Sequence, residues 1–90
     1  MKKFNVNNFI KVQLTDRGKD IYYHKDDGVN KFYGTEMITP EYPKVDGDGF
    51  TIFQLWDFMN IYGPHMHNGM EQVIKNNNIY IDEKYLEDCE

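Results

Sequence analysis

The sequence contains no serine, and Cys89 is its only cysteine. A single cysteine cannot form an intramolecular disulfide and leaves a cysteine-based zinc site without its ligands, which favours a reducing compartment. Cys89 is also a poor nucleophile, because the neighbouring carboxylates of Glu87 and Asp88 disfavour its thiolate form. These absences predict a protein that is not an enzyme and that uses no cofactor.

Long apolar runs are missing as well. Two lysines follow Met1, but no stretch of seven apolar residues comes after them, so the pattern of a signal peptide is not met. No segment approaches the ~20 apolar residues that span a bilayer. We therefore expect a cytoplasmic protein with no membrane partner.

Basic residues are scarce in the second half of the chain. Residues 1–44 hold eight Lys or Arg against six Asp or Glu, whereas residues 45–90 hold two Lys against nine Asp or Glu. The carboxylates are densest in the last nine residues, at Asp82, Glu83, Glu87, Asp88 and Glu90. Because binding to phosphate backbones needs clustered Lys and Arg, direct binding of nucleic acid is not expected.

What the chain does have is enough length and aromatic content for one small core. Its 90 residues, 16% of them aromatic, fit a single α+β domain over residues 1–90. Residues 1–8 could be flexible at its start. Two prolines and several glycines interrupt residues 34–49, which we interpret as a long loop.

Two strands are predicted from alternation of apolar and polar residues. Phe9 to Thr15 places Ile10, Val12 and Leu14 on one side, and the shorter run Ile79–Ile81 repeats the pattern. The simplest sheet pairs these two runs with each other. The sheet would have two or three strands and pack against two main helices, in the order β-α-long loop-α-β-α.

The two main helices are predicted from caps and apolar stripes. Thr15 or Asp16 can cap the first helix, whose apolar stripe runs through Ile21, the aliphatic stem of Lys25, Gly28 or Val29, and Phe32 until Gly34. Thr51 and Gln54 match a capping box for the second helix. Its stripe is predicted to form the heart of the core and comprises Ile52, Leu55, Trp56, Met59 and Tyr62. A final helical turn over Glu83 to Glu87 would be capped by Asp82.

Possible metal motifs are weak. His65 and His67 stand two positions apart, which suits a shared metal only on an extended segment with further ligands, so a polar loop is the simpler interpretation. Asp46, Asp48 and Asp57 outline a calcium loop, but Thr51 stands where such a loop needs glycine. We predict no metal site.

Three patterns resemble small uncharacterised proteins encoded by phages and prophages of low-GC Gram-positive bacteria. They are Val12-x-Leu14-Thr15-x-x-Gly18-x-x-Ile21, Gln54-Leu55-Trp56-x-x-Met59-x-x-Tyr62-Gly63-Pro64 and Ile79-Tyr80-Ile81. The lack of alanine and the wealth of asparagine and lysine look like an AT-rich genome of that kind. The resemblance implies an accessory protein that acts in the cytoplasm of a bacterial host cell.

The leading functional hypothesis is a non-enzymatic inhibitor or adaptor that binds a host protein, such as a defence or nucleic-acid-processing enzyme. Acidic surfaces speed association with basic grooves, and exposed tyrosines are common at interfaces. The predicted binding residues are Asp82, Glu83, Glu87, Asp88, Tyr22 and Tyr23. A homodimer is also compatible with the sequence.

Two alternative functions stay open. A sponge for a nucleotide signal would stack the base on aromatic rings and meet the phosphate with histidine, using Tyr22, Trp56, Tyr62, His65 and His67. A small transcriptional regulator would need a basic helix in the major groove, and the second half of the chain offers few Lys or Arg for one.

Overall fold

A computed structural model describes residues 1–28, 34, 39–67 and 69–89. The chain forms an α+β fold, as predicted. Its helices are α1 (Asp16–His24) and α2 (Leu55–Tyr62), and its strands are β1 (Lys2–Lys3), β2 (Phe9–Val12), β3 (Thr51–Gln54) and β4 (Glu87–Asp88). Short 3-10 turns cover Gly63–His65, Lys75–Asn77 and Glu83–Tyr85. In the described ranges, no helix has the length and apolarity needed to cross a membrane.

Strand β2 lies at the centre of the main sheet. Its residues Ile10 and Val12 pair antiparallel with Phe53 and Thr51 of β3. On its other side, the Lys11 N–H donates to the Tyr80 carbonyl and the Tyr80 N–H donates to the Lys11 carbonyl, both at 2.9 Å. The predicted pairing of the first strand with residues 79–81 is thus present as a bridge at Tyr80. The main partner, β3, was not predicted.

The core lies on one side of this sheet. It is built from seven buried apolar residues contributed by β2, β3, α2 and the segment before Lys75, namely Ile10, Val12, Phe53, Phe58, Tyr62, Val73 and Ile74. Alternation along β2 and β3 turns every second side chain toward the helices. The side chains between them point to the opposite face of the sheet, away from α1 and α2.

The prediction that Thr51 begins the second helix is wrong. Thr51–Gln54 is extended and hydrogen-bonded to β2, and α2 starts at Leu55 with Gln54 as a cap residue that makes no side-chain cap bond. Thr, Ile and Phe suit a pleated strand, so pairing with β2 wins over the local capping pattern.

The apolar stripe predicted for α2 is consequently displaced. Phe58 and Tyr62, which are four residues apart on one helix face, are buried, while Trp56 is 45% exposed, Met59 48% and Ile52 55%. Ile52 belongs to the strand and alternates away from the buried Phe53. Trp56 therefore does not form the heart of the core, and Phe53, Phe58 and Tyr62 take that position.

Helix α1 begins at its predicted cap. The Thr15 hydroxyl accepts from the Gly18 N–H at 3.2 Å and donates to the Gln72 carbonyl at 2.6 Å. Gly18 is buried and lies close to Val73. A β-carbon at this position would stand 2.1 Å from the Val73 carbonyl oxygen, so the packing requires glycine. The predicted stripe residues Val29 and Phe32 lie outside the described part of the chain.

Asp82 caps the last turn as predicted, accepting from the Lys84 N–H at 3.0 Å. The turn covers Glu83–Tyr85 and does not continue to Glu87, because Glu87–Asp88 leaves it to pair antiparallel with β1. Lys2 lies opposite Asp88 in this second sheet. The acidic segment is therefore held against the lysines at the start of the chain.

Candidate functional site

The side of the β2–β3 sheet that faces away from the core carries a set of half-exposed apolar side chains, which we call the outer face. Phe9 is 46% exposed, Ile52 55%, Tyr80 44% and Ile81 43%. Together with Tyr85 they line an outer groove of about 580 Å³. Apolar side chains gathered in one exposed groove mark an interaction surface more often than scattered ones do.

Aromatic contacts fix the rings of the outer groove in place. Phe9 and Tyr85 lie 6.4 Å apart between ring centroids, and Phe50 meets Tyr80 edge-on at 5.0 Å. The ammonium group of Lys84 lies 5.0 Å from the Tyr85 ring centroid. Rings held by such neighbours lose little conformational entropy when a partner binds, so the surface is preorganised for binding.

Charged groups border the outer groove on its Tyr80 side. Lys11, Lys84 and Asp82 line it beside the rings. The Asp82 carboxylate also accepts the backbone N–H of Lys84, so it is fixed in position. A partner would meet an apolar floor with a mixed, polar margin, which is the usual composition of a protein interface.

The predicted acidic binding surface is exposed but partly neutralised. Asp88 forms an ion pair with Lys2, and the Glu87 carboxylate lies 3.8 Å from the Lys3 ammonium group. With Lys84 in the same segment, three lysines accompany the four carboxylates Asp82, Glu83, Glu87 and Asp88. Exposed pairs of this kind contribute little stability, about 0–1 kcal/mol, yet they weaken the negative field on which steering depends.

The two tyrosines predicted to join that surface lie on α1. Tyr23 stacks on Tyr42 with ring centroids 4.6 Å apart, and Tyr22 packs against Phe53 at 6.1 Å. Both tyrosines line a small cleft with Thr39, while Asp82 lines the outer groove. The structure thus places the two tyrosines and Asp82 in different clefts.

A cleft of about 670 Å³ between α1 and α2, the helix cleft, contains two residues of the nucleotide hypothesis, Tyr22 and His65. Three carboxylates line it, from Asp20, Asp26 and Asp57. Its one lining lysine, Lys25, donates to Asp26 at 2.7 Å, and this hydrogen bond raises the pKa of Lys25. A phosphate entering the helix cleft would meet mostly negative charge.

The other residues of the nucleotide hypothesis are not gathered with these two. Tyr62 is fully buried and its hydroxyl donates to the Gly18 carbonyl at 2.9 Å, so its ring offers no surface to a ligand. Desolvation also raises the pKa of Tyr62 well above its ordinary range. His67 lines a separate pocket of about 300 Å³ with His65. Trp56 is half-exposed at the start of α2.

The metal motifs have structural explanations. Across the described ranges, no three His, Cys, Asp or Glu side chains come together as a metal site. The Asp46 carboxylate accepts the N–H groups of Asp48 and Phe50, each at 2.9 Å, and these bonds lower its pKa. Asp46 thus shapes the turn that leads into β3.

The outer face was not predicted from the sequence. Ile52 was assigned to the core stripe of a helix, and Tyr80 was assigned to a strand without a stated face. The alternation of side chains along the strands indicates this face. Phe9 and Lys11 alternate with the buried Ile10 and Val12, and Ile52 alternates with the buried Phe53. Assigning Thr51–Gln54 to a strand would have placed Ile52 beside Phe9 and Lys11.

Comparison with known proteins adds no family or function. No protein-family model matches the chain, and no curated protein or solved structure is detectably similar to it.

Proposed function

We propose that this chain is a non-enzymatic binding protein that attaches to another protein through its outer face. The observation that supports the proposal is the half-exposed apolar cluster of Phe9, Ile52, Tyr80 and Ile81 around one groove. A 90-residue domain has little apolar material to spare, because its thin core needs it. Within the described part of the chain, four such residues lie on the side of the sheet that faces away from the core, and a partner that covers them is the best explanation.

A protein partner fits this face better than a nucleic acid does. Aromatic rings and two lysines could in principle stack bases and hold phosphates. Ile52 and Ile81 have no ring on which a base could stack, and Phe50 already takes up part of the Tyr80 ring. The carboxylates of Asp82 and the residues after it would repel a phosphate chain.

We further propose that the protein acts in the cytoplasm of a bacterial host as a phage accessory protein that modulates or inhibits a host enzyme. This part depends on the resemblance to phage-encoded proteins, on Asp82 at the margin of the outer groove, and on the carboxylates that follow Asp82 in the sequence. A defence or nucleic-acid-processing enzyme would offer them a basic surface, and its apolar residues would fill the groove. The target would be blocked by occupation of its own binding surface.

The test compares variants of the outer face with a control at an apolar residue that is exposed elsewhere. Ile52→Thr keeps a β-branched side chain in the strand, and the double variant Ile52→Thr with Tyr80→Thr removes the centre of the outer face. Met59→Gln is the matched control, because Met59 is exposed to a similar extent, 48%, but lies on α2. Each tagged protein is used to capture host proteins, and candidate partners are then purified and titrated by calorimetry.

We expect the single variant to weaken binding about tenfold and the double variant about a hundredfold, as for residues at the centre of an interface. Met59→Gln should change the affinity less than about twofold. Circular dichroism checks that each variant is folded. A partner that binds wild type and the Ile52 variants equally well would refute the outer face as the binding surface.

A further inference from the structure

In the ranges that the structure describes, no strand pairs with the edge of β3 opposite β2, and this edge borders a second groove. Asp46 and Phe50 are joined by a bond from the Asp46 N–H to the Phe50 carbonyl at 2.9 Å, which closes a turn before β3. Residues 41–45, which precede this turn, have no regular secondary structure and line the same cavity as β3. This cavity is a groove of about 550 Å³, which we call the edge groove. It is lined by Tyr42, Val45 and all four residues of β3.

The backbone of β3 presents hydrogen-bonding groups to the edge groove. Lys11 lies opposite Ile52, and it uses both its N–H and its carbonyl for Tyr80. Ile52 therefore cannot bond to Lys11, and its N–H and carbonyl point away from β2. Gln54 is two residues after Ile52, so its N–H also points away from β2. Its carbonyl accepts the first hydrogen bond of helix α2. Over residues 39–67 and the other described ranges, neither N–H has a backbone partner.

A side chain adds a second, independent observation. Thr51 lines the edge groove and is 5% exposed, yet its hydroxyl has no hydrogen-bond partner within the described structure. Buried hydroxyl groups are normally satisfied, because an unmade bond costs about 1–3 kcal/mol. A ligand that brought polar backbone groups into the groove could satisfy it.

The walls of the edge groove favour a basic ligand. Among the described residues, three carboxylates line it, from Glu41, Asp46 and Asp57, against one ammonium group, from Lys44. Asp46 keeps its charge well because the N–H groups of Phe50 and Asp48 lower its pKa. Apolar contact is available from Tyr42, Val45 and Phe50. A chain with alternating basic and apolar side chains matches this lining.

We propose that an extended basic segment of a partner protein binds in the edge groove and adds a strand to β3. The segment would bond to the N–H and carbonyl of Ile52 and to the N–H of Gln54, which extends the sheet in the manner of strand addition. This inference rests on the proposed function, because Phe9 and Ile52 border both grooves and the added strand would continue the outer face. It specifies the partner element as a strand.

The protein variant for the test is Gln54→Pro. Gln54 has a φ of −69°, which proline adopts readily, so the substitution removes the N–H and fills the edge with the ring while leaving the ladder with β2 intact. Gln54→Ala is the matched control, because it loses the same side-chain bond to the Asn7 carbonyl but keeps the N–H. Neither variant touches the outer-face side chains Ile52 and Tyr80.

The probe is a labelled ten-residue peptide in which lysine alternates with valine, measured by fluorescence anisotropy. We expect Gln54→Pro to weaken its binding at least about tenfold and Gln54→Ala less than about threefold. Two further peptides are N-methylated at every second residue, one at the odd and one at the even positions. We expect one of them to lose binding and the other to keep it, because only one edge of the peptide faces β3. A peptide of alternating glutamate and valine should not bind.

Equal binding of the lysine peptide to the proline and alanine variants would overturn the strand-addition proposal. Equal binding of the two N-methylated peptides would also overturn it. Concentration-dependent dimerisation of the wild type that Gln54→Pro abolishes would overturn it as well, because the edge of β3 would then bind a second copy of this chain. The proposed function has its own readout, since the captured partner would still respond to Ile52→Thr with Tyr80→Thr in each of these cases.

Discussion

Substitution of Gly18 by alanine tests how the core is assembled. Alanine favours a helix over glycine by up to about 1 kcal/mol, so at an open helical position the change would stabilise the protein. At Gly18 the new β-carbon would stand 2.1 Å from the Val73 carbonyl oxygen and 3.1 Å from a methyl group of Leu14. The first distance is far below contact, so the helix and the chain at Val73 must move apart.

The size of the effect follows from what that movement disturbs. The Thr15 N–H donates to the same Val73 carbonyl at 3.1 Å, and the Thr15 hydroxyl donates to Gln72 at 2.6 Å. Overpacking costs about 1–3 kcal/mol, and each weakened hydrogen bond costs about 1 kcal/mol. After subtraction of the gain in helix propensity, we expect Gly18→Ala to lower the free energy of unfolding by about 2–4 kcal/mol.

Urea denaturation followed by circular dichroism measures this free energy. Gly28→Ala is the control, because no atom of the described residues lies within 4 Å of the β-carbon it would add. We expect the control to leave stability unchanged or to raise it by up to about 1 kcal/mol. If Gly18→Ala were as stable as wild type, the close packing of α1 on Val73 would be refuted.

Two further predictions concern Tyr62 and the helix cleft. Tyr62→Phe should lower stability at neutral pH by about 1 kcal/mol, because the bond to the Gly18 carbonyl is lost. Burial raises the pKa of Tyr62 above its ordinary value of 10.0, so the stability that Tyr62 contributes is complete below pH 10.0 and is lost as the pH rises further. Between about pH 9 and 11, the free energy of unfolding should therefore fall more steeply for wild type than for Tyr62→Phe. Thermal-shift titration with mono-, di- and cyclic nucleotides should leave the melting temperature unchanged, because Asp20, Asp26 and Asp57 oppose phosphate in the helix cleft. A rise of several degrees would instead support the nucleotide hypothesis.

Local features of the fold were predictable from the sequence. The alternation at Ile10 and Val12 gave the strand and its buried face, and both residues are 1% exposed or less. Thr15 and Asp82 were recognised as caps, because a cap bond joins residues two or three positions apart. Each of these features depends on neighbours that lie close in sequence.

Non-local features were not predictable. Thr51–Gln54 satisfies a helix-capping pattern by itself, and only its partner β2, about forty residues earlier, makes it a strand. The same wrong assignment predicts that Ile52 belongs to the core, whereas in the structure Ile52 lies on the outer face. The candidate site escaped prediction because the face of a strand is defined by its pairing, and pairing is a property of two distant segments.

The many partners of residues 9–18 have a consequence for how the chain folds. This segment bonds to Tyr62 across 44 residues and to Gln72 across 57, and it also pairs with β3 and Tyr80. Each of these contacts closes a long loop, and folds dominated by such contacts form slowly. A nascent chain emerging from the ribosome cannot complete its sheet until Tyr80 has left the exit tunnel. Until then Lys11 lacks its hydrogen-bond partner Tyr80, and a partner that supplies a strand could meet this edge of β2 first.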